Sequence, residues 1–255
     1  MAASQSDTER ERSDGQRSEI WIGCSGWAYP SWRPAFYPPK TPVKKLLEAY
    51  ASRLNSVEVN YTFRSLPTEA IVQGWLAATP EAFRFSFKAP QRITHFNRLR
   101  NCSGVLAAFL GSVAPVAAAG RLGVLLLQLP PNFAVDAVLL REFLAEAHGA
   151  GPGARLAFEF RHPSWFAEPT YAALAERRAA LCVAESDELA TPEVMTAPFA
   201  CYRLRRSQYS EQELGELRTR LQEGARAGEV FAYFKHEEEP DGPLRAAAVL
   251  EGLRA

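Results

Sequence analysis

No apolar run in the 255-residue sequence reaches the ~18 residues that a membrane-spanning helix needs, so the sequence predicts no membrane contact. The first 19 residues lack the apolar segment of a secretory signal and hold more acidic than basic side chains. The four cysteines are scattered, with no C-x-x-C pair, which is typical of buried free thiols in a reducing compartment. We therefore expect a cytoplasmic protein.

An excess of charge is also missing. The 29 lysine and arginine residues balance the 29 aspartate and glutamate residues, so no whole-molecule field draws the chain to nucleic acid or to an anionic membrane. Any charge selectivity must come from local clusters. A content of 47% hydrophobic and 23% charged residues excludes a fully disordered chain and a disulfide scaffold.

The sequence divides into a tail and one domain. Residues 1–19 contain no large apolar residue after Met1, which predicts a disordered N-terminal tail. Residues 20–255 alternate between short β-branched or aromatic runs and longer stretches with helical spacing. No repeat or linker interrupts this alternation, so we expect a single domain over residues 20–255.

The alternation predicts a TIM-like (β/α)8 barrel. Only the link from strand six to strand seven, 186–198, has no clear helical pattern, so the helix there is expected to be missing or short. A doubly wound open sheet is the alternative, but the sequence lacks the G-x-G-x-x-G and G-x-x-x-x-G-K-[ST] motifs of that fold. The predicted strands are 20–25, 56–62, 83–88, 123–128, 155–160, 181–185, 199–204 and 230–235; the predicted helices lie near 43–53, 68–78, 103–118, 135–147, 169–179, 211–226 and 243–253.

Strand alternation predicts which side chains point toward the barrel axis. Val57 and Val59 share one face of strand two, which must meet the helices, so the opposite face points inward. Most residues placed inward by this rule lie near the carboxyl ends of their strands, where TIM barrels build active sites. The inward set is Glu58, Asn60, Ser86, Lys88, Gln128, Glu159, Arg161, Arg203 and Arg205.

This mixed-sign cluster has two interpretations. It is either a ligand site or an internal ion network that fills the barrel, for example through the pairs Glu58–Lys88 and Glu159–Arg203. Convergence of polar residues from five strands favours the ligand site. We predict acid–base roles for Glu159, His162 and Glu58, and ligand-binding roles for Lys88, Arg161, Arg203, Asn60, Gln128, Trp27, Trp165 and His95.

Aromatic side chains mark the predicted loops at the same end of the barrel. Trp27 closely follows strand one and Trp165 closely follows strand five, each with an arginine nearby. Such pairs stack on a base or a sugar in some proteins. The alternative, favoured for most of these aromatic residues, is that they pack the loops over the barrel mouth.

A metal site is a further alternative. His95, His162 and His236 follow strand ends and, with Glu159 or Glu58, are the residue types that bind Zn²⁺ or Mn²⁺. No H-x-H or H-E-x-x-H pair supplies two ligands from one element, however. We therefore predict no cofactor, and a divalent metal is an alternative that the sequence does not favour.

Schiff-base chemistry at Lys88 is also an alternative. It needs a lowered amine pKa, which Arg161 or Arg203 would favour and Glu58 or Glu159 would oppose. With two acids expected nearby, the sequence favours a charged Lys88.

Five motifs resemble the YecE-like family, also called domain-of-unknown-function family 72. They are IGCSGWAYPSWRPAFYP (22–38), LNSVEVNYTFRSLPT (54–68), FRFSFKAPQRITH (83–95), LLLQLPPNF (125–133) and FEFRHPSWF (158–166). The resemblance implies a fold similar to a TIM barrel and no settled activity. A likeness to endonuclease-IV-type barrels is a fold analogy only, because four histidines are too few for the several metals of such enzymes.

The C-terminal part departs from the commonest pattern of that family. Many relatives resemble Y-x-R-L-H-G at strand seven, whereas this sequence has Arg205 in place of the histidine. Many also resemble F-N-N-D after strand eight, whereas this sequence has Lys235, His236 and Glu237. We interpret the chain as a variant within the family.

Three functions follow from these observations. The first is an enzyme acting on an anionic small molecule, phosphorylated or carboxylated, at the C-terminal mouth of the barrel; such an enzyme would be a hydrolase or lyase with Glu/His acid–base chemistry. The second is a nucleic-acid-processing or nucleic-acid-binding protein. The third is a non-catalytic sensor or partner-binding barrel. The sequence favours the first and gives no oligomeric state.

Overall fold

The computed structural model describes residues 19–186, 189–235 and 238–254. Eight parallel strands follow one another around a nearly closed barrel in the order β1-β8-β7-β6-β5-β4-β3-β2. All eight predicted strands are confirmed, and the predicted tail lies outside the described residues apart from Glu19. The strands are β1 (Ile20–Cys24), β2 (Ser56–Val59), β3 (Arg84–Lys88), β4 (Leu122–Gln128), β5 (Arg155–Glu159), β6 (Ala180–Glu185), β7 (Phe199–Leu204) and β8 (Glu229–Phe234).

The helices surround this barrel as the periodicity predicts. At the start of α6 the Ser210 side chain accepts from the Glu213 amide while the Glu213 carboxylate accepts from the Ser210 amide, a capping box. Among the described residues, no helix is long and apolar enough to cross a membrane. The helices are α1 (Leu46–Ala51), α2 (Glu69–Ala77), α3 (Ser103–Ala118), α4 (Ala137–Ala150), α5 (Glu168–Glu176), α6 (Glu211–Ala225) and α7 (Asp241–Arg254).

Between β6 and β7 an irregular segment takes the place of a helix in the described part of the link. We call residues 189–198 the strap. The Thr196 hydroxyl donates to the Ala179 carbonyl oxygen at 2.7 Å and accepts from the Leu181 amide at 2.9 Å, so the strap is fixed at the amino end of β6. The predicted absence of a clear helix in this link is confirmed for the residues that the structure describes.

The core has two apolar layers, as strand alternation predicts. Val57, Val59 and Phe158 pack between the strands and the helices. Trp21 and Phe231 belong to a second cluster, inside the barrel. Polar residues replace this inner cluster toward the carboxyl ends of the strands. The four cysteines are all buried and free, which confirms the prediction from their spacing.

Side chains close the barrel between β1 and β2. The Tyr50 hydroxyl accepts from the Cys24 amide at 2.7 Å and donates to the Ser56 carbonyl oxygen at 2.9 Å. The Asn55 side chain accepts from the Ile22 amide at 2.7 Å. At this seam an added Cβ on Gly23 would lie 1.9 Å from the Ser56 carbonyl oxygen, so only glycine fits.

Candidate anion site at the barrel mouth

Arg203 of β7 holds two buried carboxylates together. Its Nε and Nη2 donate to the two oxygens of Glu58 at 2.9 and 2.7 Å, and its Nη1 donates to Glu159 Oε2 at 2.5 Å. All three side chains are no more than 2% exposed. The predicted pair Glu159–Arg203 is confirmed. The predicted pair Glu58–Lys88 is wrong, because the planar guanidinium offers Glu58 two parallel donors that an ammonium group cannot match.

Glu159 remains ionised despite its burial. Its second oxygen accepts from Arg161 Nε at 2.9 Å. Burial raises the pKa of this carboxyl group, but Arg203 and Arg161 outweigh it and hold the pKa at about 2. Glu159 and Glu58 therefore act in this geometry as positioning residues for Arg203. Their predicted proton transfer would require breaking these ion pairs.

Lys88 lies at the end of β3, half-buried, beside this network. The Thr62 hydroxyl donates to the Lys88 carbonyl oxygen at 2.7 Å. Phe63, which follows Thr62 in the chain, has its ring centre 4.2 Å from Lys88 Nζ. Burial and the neighbouring Arg203 lower the pKa of Lys88 to about 8. Its ammonium group makes no ion pair or hydrogen bond with any residue in the described ranges.

His95 packs on the same aromatic ring as Lys88. Its imidazole meets the edge of Phe63 with the ring centres 5.1 Å apart, and its Nδ1 is 2.9 Å from Thr94 Oγ1. Burial lowers the pKa of His95, and the positive charges of Lys88 and Arg161 lower it further. A neutral imidazole therefore lies beside an amine of lowered pKa.

The backbone after β3 is strained. Arg92–Phe96 form one turn of π-helix, and Arg98, Leu99 and Asn101 then adopt φ angles of 48°, 67° and 51°. A non-glycine residue with such a left-handed backbone lowers the stability of the fold by about 1–3 kcal/mol, and residues of this kind cluster at functional sites. π-Helical turns also occur frequently at functional sites. The loop that carries His95 thus has the backbone features of a functional loop.

A cavity of about 280 Å³ opens at the carboxyl ends of β5 to β8. The Arg205 side chain and the terminal nitrogens of Arg161 have no hydrogen-bond partner within the described part of the chain. Burial lowers the pKa of Arg205, as does Arg203. Thr191 of the strap is 8% exposed, and its hydroxyl has no partner among the described residues. The polar lining comprises Glu159, Arg161, Ser186, Thr191, Arg205 and Lys235.

The other polar residues predicted for the site each contact a protein group. His162 Nδ1 lies 2.8 Å from Ser164 Oγ and accepts from the Ser164 amide, so this histidine caps a short turn after β5. Gln128 Oε1 is 3.5 Å from Arg203 Nη1. Asn60 Nδ2 donates to the Ser25 carbonyl oxygen at 3.1 Å, while its Oδ1 is buried without a partner in the described part.

The two tryptophans differ in accessibility. Trp27 is half-buried and meets Trp75 edge to face, with the ring centres 5.7 Å apart. Trp165 is fully buried, stacks on Phe160 at 4.5 Å and donates its indole N–H to the Phe133 carbonyl oxygen. Trp165 therefore has no free surface for the predicted ligand contact, because it packs the loop after β5. Trp32, Phe36 and Tyr37 are also buried, as expected if these aromatic residues pack the loops over the barrel mouth.

No group of three His, Cys, Asp or Glu side chains close enough to bind a metal occurs in residues 19–186, 189–235 and 238–254. His95 and His162 contact a threonine and a serine respectively. His236 and Glu237, named above as departures from the family pattern, lie outside the described residues.

Three residues of the site have no role in the sequence prediction. Strand alternation points Arg205 inward, and its position at the end of β7 is the signal that marks it for the mouth. Phe63 lies in a short turn and Thr191 in the strap, where no period of two or 3.6 applies. Only the folded chain shows that these two residues reach the site.

Comparison with known proteins identifies relatives of this chain. A family model described as "Protein of unknown function DUF72" matches residues 21–255. The chain is 35% identical over 150 residues to UPF0759 protein YecE of Escherichia coli K12 and 32% identical over 158 residues to UPF0759 protein YunF of Bacillus subtilis 168. These matches cover 58% and 60% of this chain but 51% and 54% of the relatives. The chain thus spans about half the length of the curated relatives it matches.

Two crystal structures share the barrel. A DUF72 family protein from Thermotoga maritima superposes with a TM-score of 0.81 at 24% identity, covering 93% of this chain and 100% of that one. A second, from Enterococcus faecalis V583, has a TM-score of 0.78 at 20% identity, covering 92% and 96%. At these identities the likeness shows the fold.

Proposed function

The chain belongs to the DUF72 family, as its motifs suggested, and because that family name assigns no activity we propose a function from the barrel mouth. We propose an enzyme that binds a small anionic molecule, phosphorylated or carboxylated, between Arg161 and Arg205. The observation that carries the proposal is a pair of guanidinium groups that line one cavity and have N–H donors without a partner in the described part of the chain. Guanidinium donors of this kind bind carboxylate and phosphate oxygens.

Two titratable groups that share one aromatic ring support catalysis rather than binding alone. Lys88, with a pKa of about 8, and His95, with a lowered pKa, both contact Phe63. The pKa of Lys88 lies near neutral pH, where a group exchanges protons most effectively during turnover, and the lowered pKa of His95 favours an imidazole that can accept a proton. In this proposal Lys88 and His95 therefore take the proton-transfer role that the sequence assigned to the carboxylates.

Nucleic-acid binding is less well supported. The stacking interpretation needs exposed aromatic rings, but Trp32, Tyr37 and Trp165 are buried. The chain carries no net charge, so it lacks the electrostatic attraction that dominates non-specific binding to nucleic acid.

The test is a thermal-unfolding screen against phosphorylated metabolites, sugar acids, nucleotides and divalent metals. A ligand at 100 times its Kd adds about 2.7 kcal/mol to the free energy of unfolding, which raises the Tm by roughly 5–10 °C for a domain of this size. We expect a phosphorylated or carboxylated compound to give this shift and Arg161→Met or Arg205→Met to remove it.

The matched control is Arg141→Met, because Arg141 forms an exposed ion pair with Glu176 between α4 and α5. This variant is expected to keep the shift. A shift that survives in all three variants would place the ligand elsewhere. No shift across the whole panel would favour the partner-binding barrel.

A further inference from the structure

The two carboxylates of the cluster are unavailable to Lys88. Both oxygens of Glu58 accept from Arg203. One oxygen of Glu159 accepts from Arg203 and the other from Arg161. The sequence-based expectation of a charged Lys88 relied on these acids as its partners. In the structure, the arginines have taken that place.

The surroundings of Lys88 lower the pKa of its amine to about 8, mainly through burial and Arg203, while Glu58 and Glu159 act to raise it. The positive charges of the two arginines cancel the negative charges of the two glutamates, so a proton on Lys88 gives a half-buried cluster a net charge that water only partly screens. A fixed cation beside a lysine is one recognised way to activate the amine as a nucleophile. The charged or titratable groups acting on Lys88 are Arg203 from β7, Glu58 from β2, Glu159 and Arg161 from β5, and His95 from its own loop.

The ring under Lys88 holds the amine in place. Phe63 belongs to the short turn after β2, and Thr62 of the same turn is hydrogen-bonded to the Lys88 backbone. The Nζ atom is therefore positioned over an apolar face, without an acceptor in the described residues. Glu159 and Arg161, which act electrostatically on Lys88, also line the mouth cavity, so the amine and the cavity share two neighbours.

We propose that Lys88 is a carbonyl-reactive amine and that the substrate is an anionic aldehyde or ketone, which condenses with Lys88 while Arg161 and Arg205 hold its anionic group. The inference rests on the proposed function for the anion and goes beyond it by naming the reacting group. The neutral Nζ forms a bond to the carbonyl carbon, and the carbonyl π electrons move to oxygen. One proton from Nζ and one from solvent water convert that oxygen to water, which leaves as the nitrogen lone pair completes the C=N bond of a protonated imine.

The test uses pyridoxal 5′-phosphate as a phosphorylated aldehyde and pyridoxal as the same aldehyde without the phosphate. The full chain is treated briefly with each reagent at limiting concentration and about pH 7.5, reduced with borohydride and mapped at its five lysines. At that pH an amine of pKa about 8 has a neutral fraction on the order of a hundredfold larger than an ordinary lysine. We expect the phosphorylated reagent to label Lys88 at least tenfold faster than the exposed Lys44.

Two variants separate the amine from the anion site. Lys88→Arg should lose the fast labelling, and Lys44→Arg should keep it. Arg205→Met should slow labelling by the phosphorylated reagent at least fivefold and leave labelling by pyridoxal unchanged. The labelling map of the unmodified sequence is informative even where a variant folds poorly.

The failures are distinguishable. Labelling of Lys88 no faster than Lys44, in a protein that still shows an Arg205-dependent thermal shift with anions, would overturn the Schiff-base inference and leave the anion site. Fast labelling of Lys88 that is indifferent to the phosphate and to Arg205 would overturn the anionic substrate class. An adduct concentrated on Lys235 would overturn the assignment to Lys88.

Discussion

Arg203 holds the two buried carboxylates of the barrel mouth. It engages both oxygens of Glu58 and one oxygen of Glu159. Those contacts help to hold the pKa of Glu159 low, and they leave Lys88 without an acidic partner in the described residues. The sequence places Glu58, Lys88, Glu159 and Arg203 together, and the contacts of this one buried guanidinium group show which of them are paired.

The pH dependence of stability tests this assignment at Glu159. Its pKa is about 2 in the folded protein and about 4.5 in the unfolded chain, so its stabilising contribution is fully present above about pH 4.5. As the pH falls toward 2, the unfolded chain binds a proton that the folded protein does not, and this contribution is lost. We expect Glu159→Gln to lower the free energy of unfolding most at neutral pH, with the difference from the unmodified protein narrowing between about pH 4.5 and 2.

Urea denaturation across this pH range measures that difference. Glu176→Gln is the control, because Glu176 belongs to an exposed ion pair of the kind worth about 0–1 kcal/mol. A Glu159→Gln deficit that stays constant from pH 7 to pH 3 would show that the Glu159 carboxyl group has an ordinary pKa in the folded chain.

At the scale of single residues, the sequence predicts which side chains point into the barrel better than it predicts which of them form ion pairs. The period of two places Glu58, Lys88, Glu159 and Arg203 on the barrel axis, and the structure agrees. It does not decide which acid binds which base, because that choice depends on the forked geometry of Arg203 and on side-chain reach across the barrel. The lowered pKa of Lys88 follows first from its burial and then from the nearby Arg203, and the extent of that burial cannot be read from the sequence.

Among the secondary-structure elements, the seam between β1 and β2 is an unusual joint. Tyr50 comes from α1 and Asn55 from the loop before β2, and their side chains bond the two strands. The closure of the barrel thus depends on one helix packing correctly against both strands.

Tyr50→Phe tests this joint. It removes one hydroxyl and leaves the Cys24 amide and the Ser56 carbonyl oxygen buried without that partner. Each buried unsatisfied group costs about 1–3 kcal/mol, so we expect a loss of about 2–4 kcal/mol in the free energy of unfolding. Tyr171→Phe, on the outer helix α5, is the matched control and should change stability by less than about 0.5 kcal/mol. Equal losses in the two variants would show that the Tyr50 hydroxyl does not hold the seam.

The regular elements are predictable because their apolar periods continue through whole strands and helices. The features that give the mouth its chemistry interrupt those periods. The π-turn Arg92–Phe96, the left-handed residues after it and the strap are set by contacts with other parts of the barrel. Sequence periodicity therefore locates the strand ends that carry the site and leaves the loops above them undetermined.

At the scale of the whole molecule, the balanced charge means that electrostatic attraction of an anion is confined to the barrel mouth. The mouth presents guanidinium donors while the chain as a whole has no net charge. We expect single- and double-stranded DNA to show no measurable binding at about 0.15 M salt, because such salt screens charges beyond about 8 Å. Fluorescence anisotropy against salt concentration measures this. Tight binding that weakens steeply with salt would instead support the nucleic-acid function.

The strap joins the two ends of the barrel. Leu189 and Thr191 line the mouth cavity, and Thr196 lies at the opposite end, where its hydroxyl covers the amide of Leu181. A ligand that fills the cavity restrains the upper part of this short segment and, through it, the hydrogen bond at the base. Deuterium uptake at the Leu181 amide is therefore expected to slow when the mouth is occupied, which makes the floor of the barrel a remote reporter of an event at its rim.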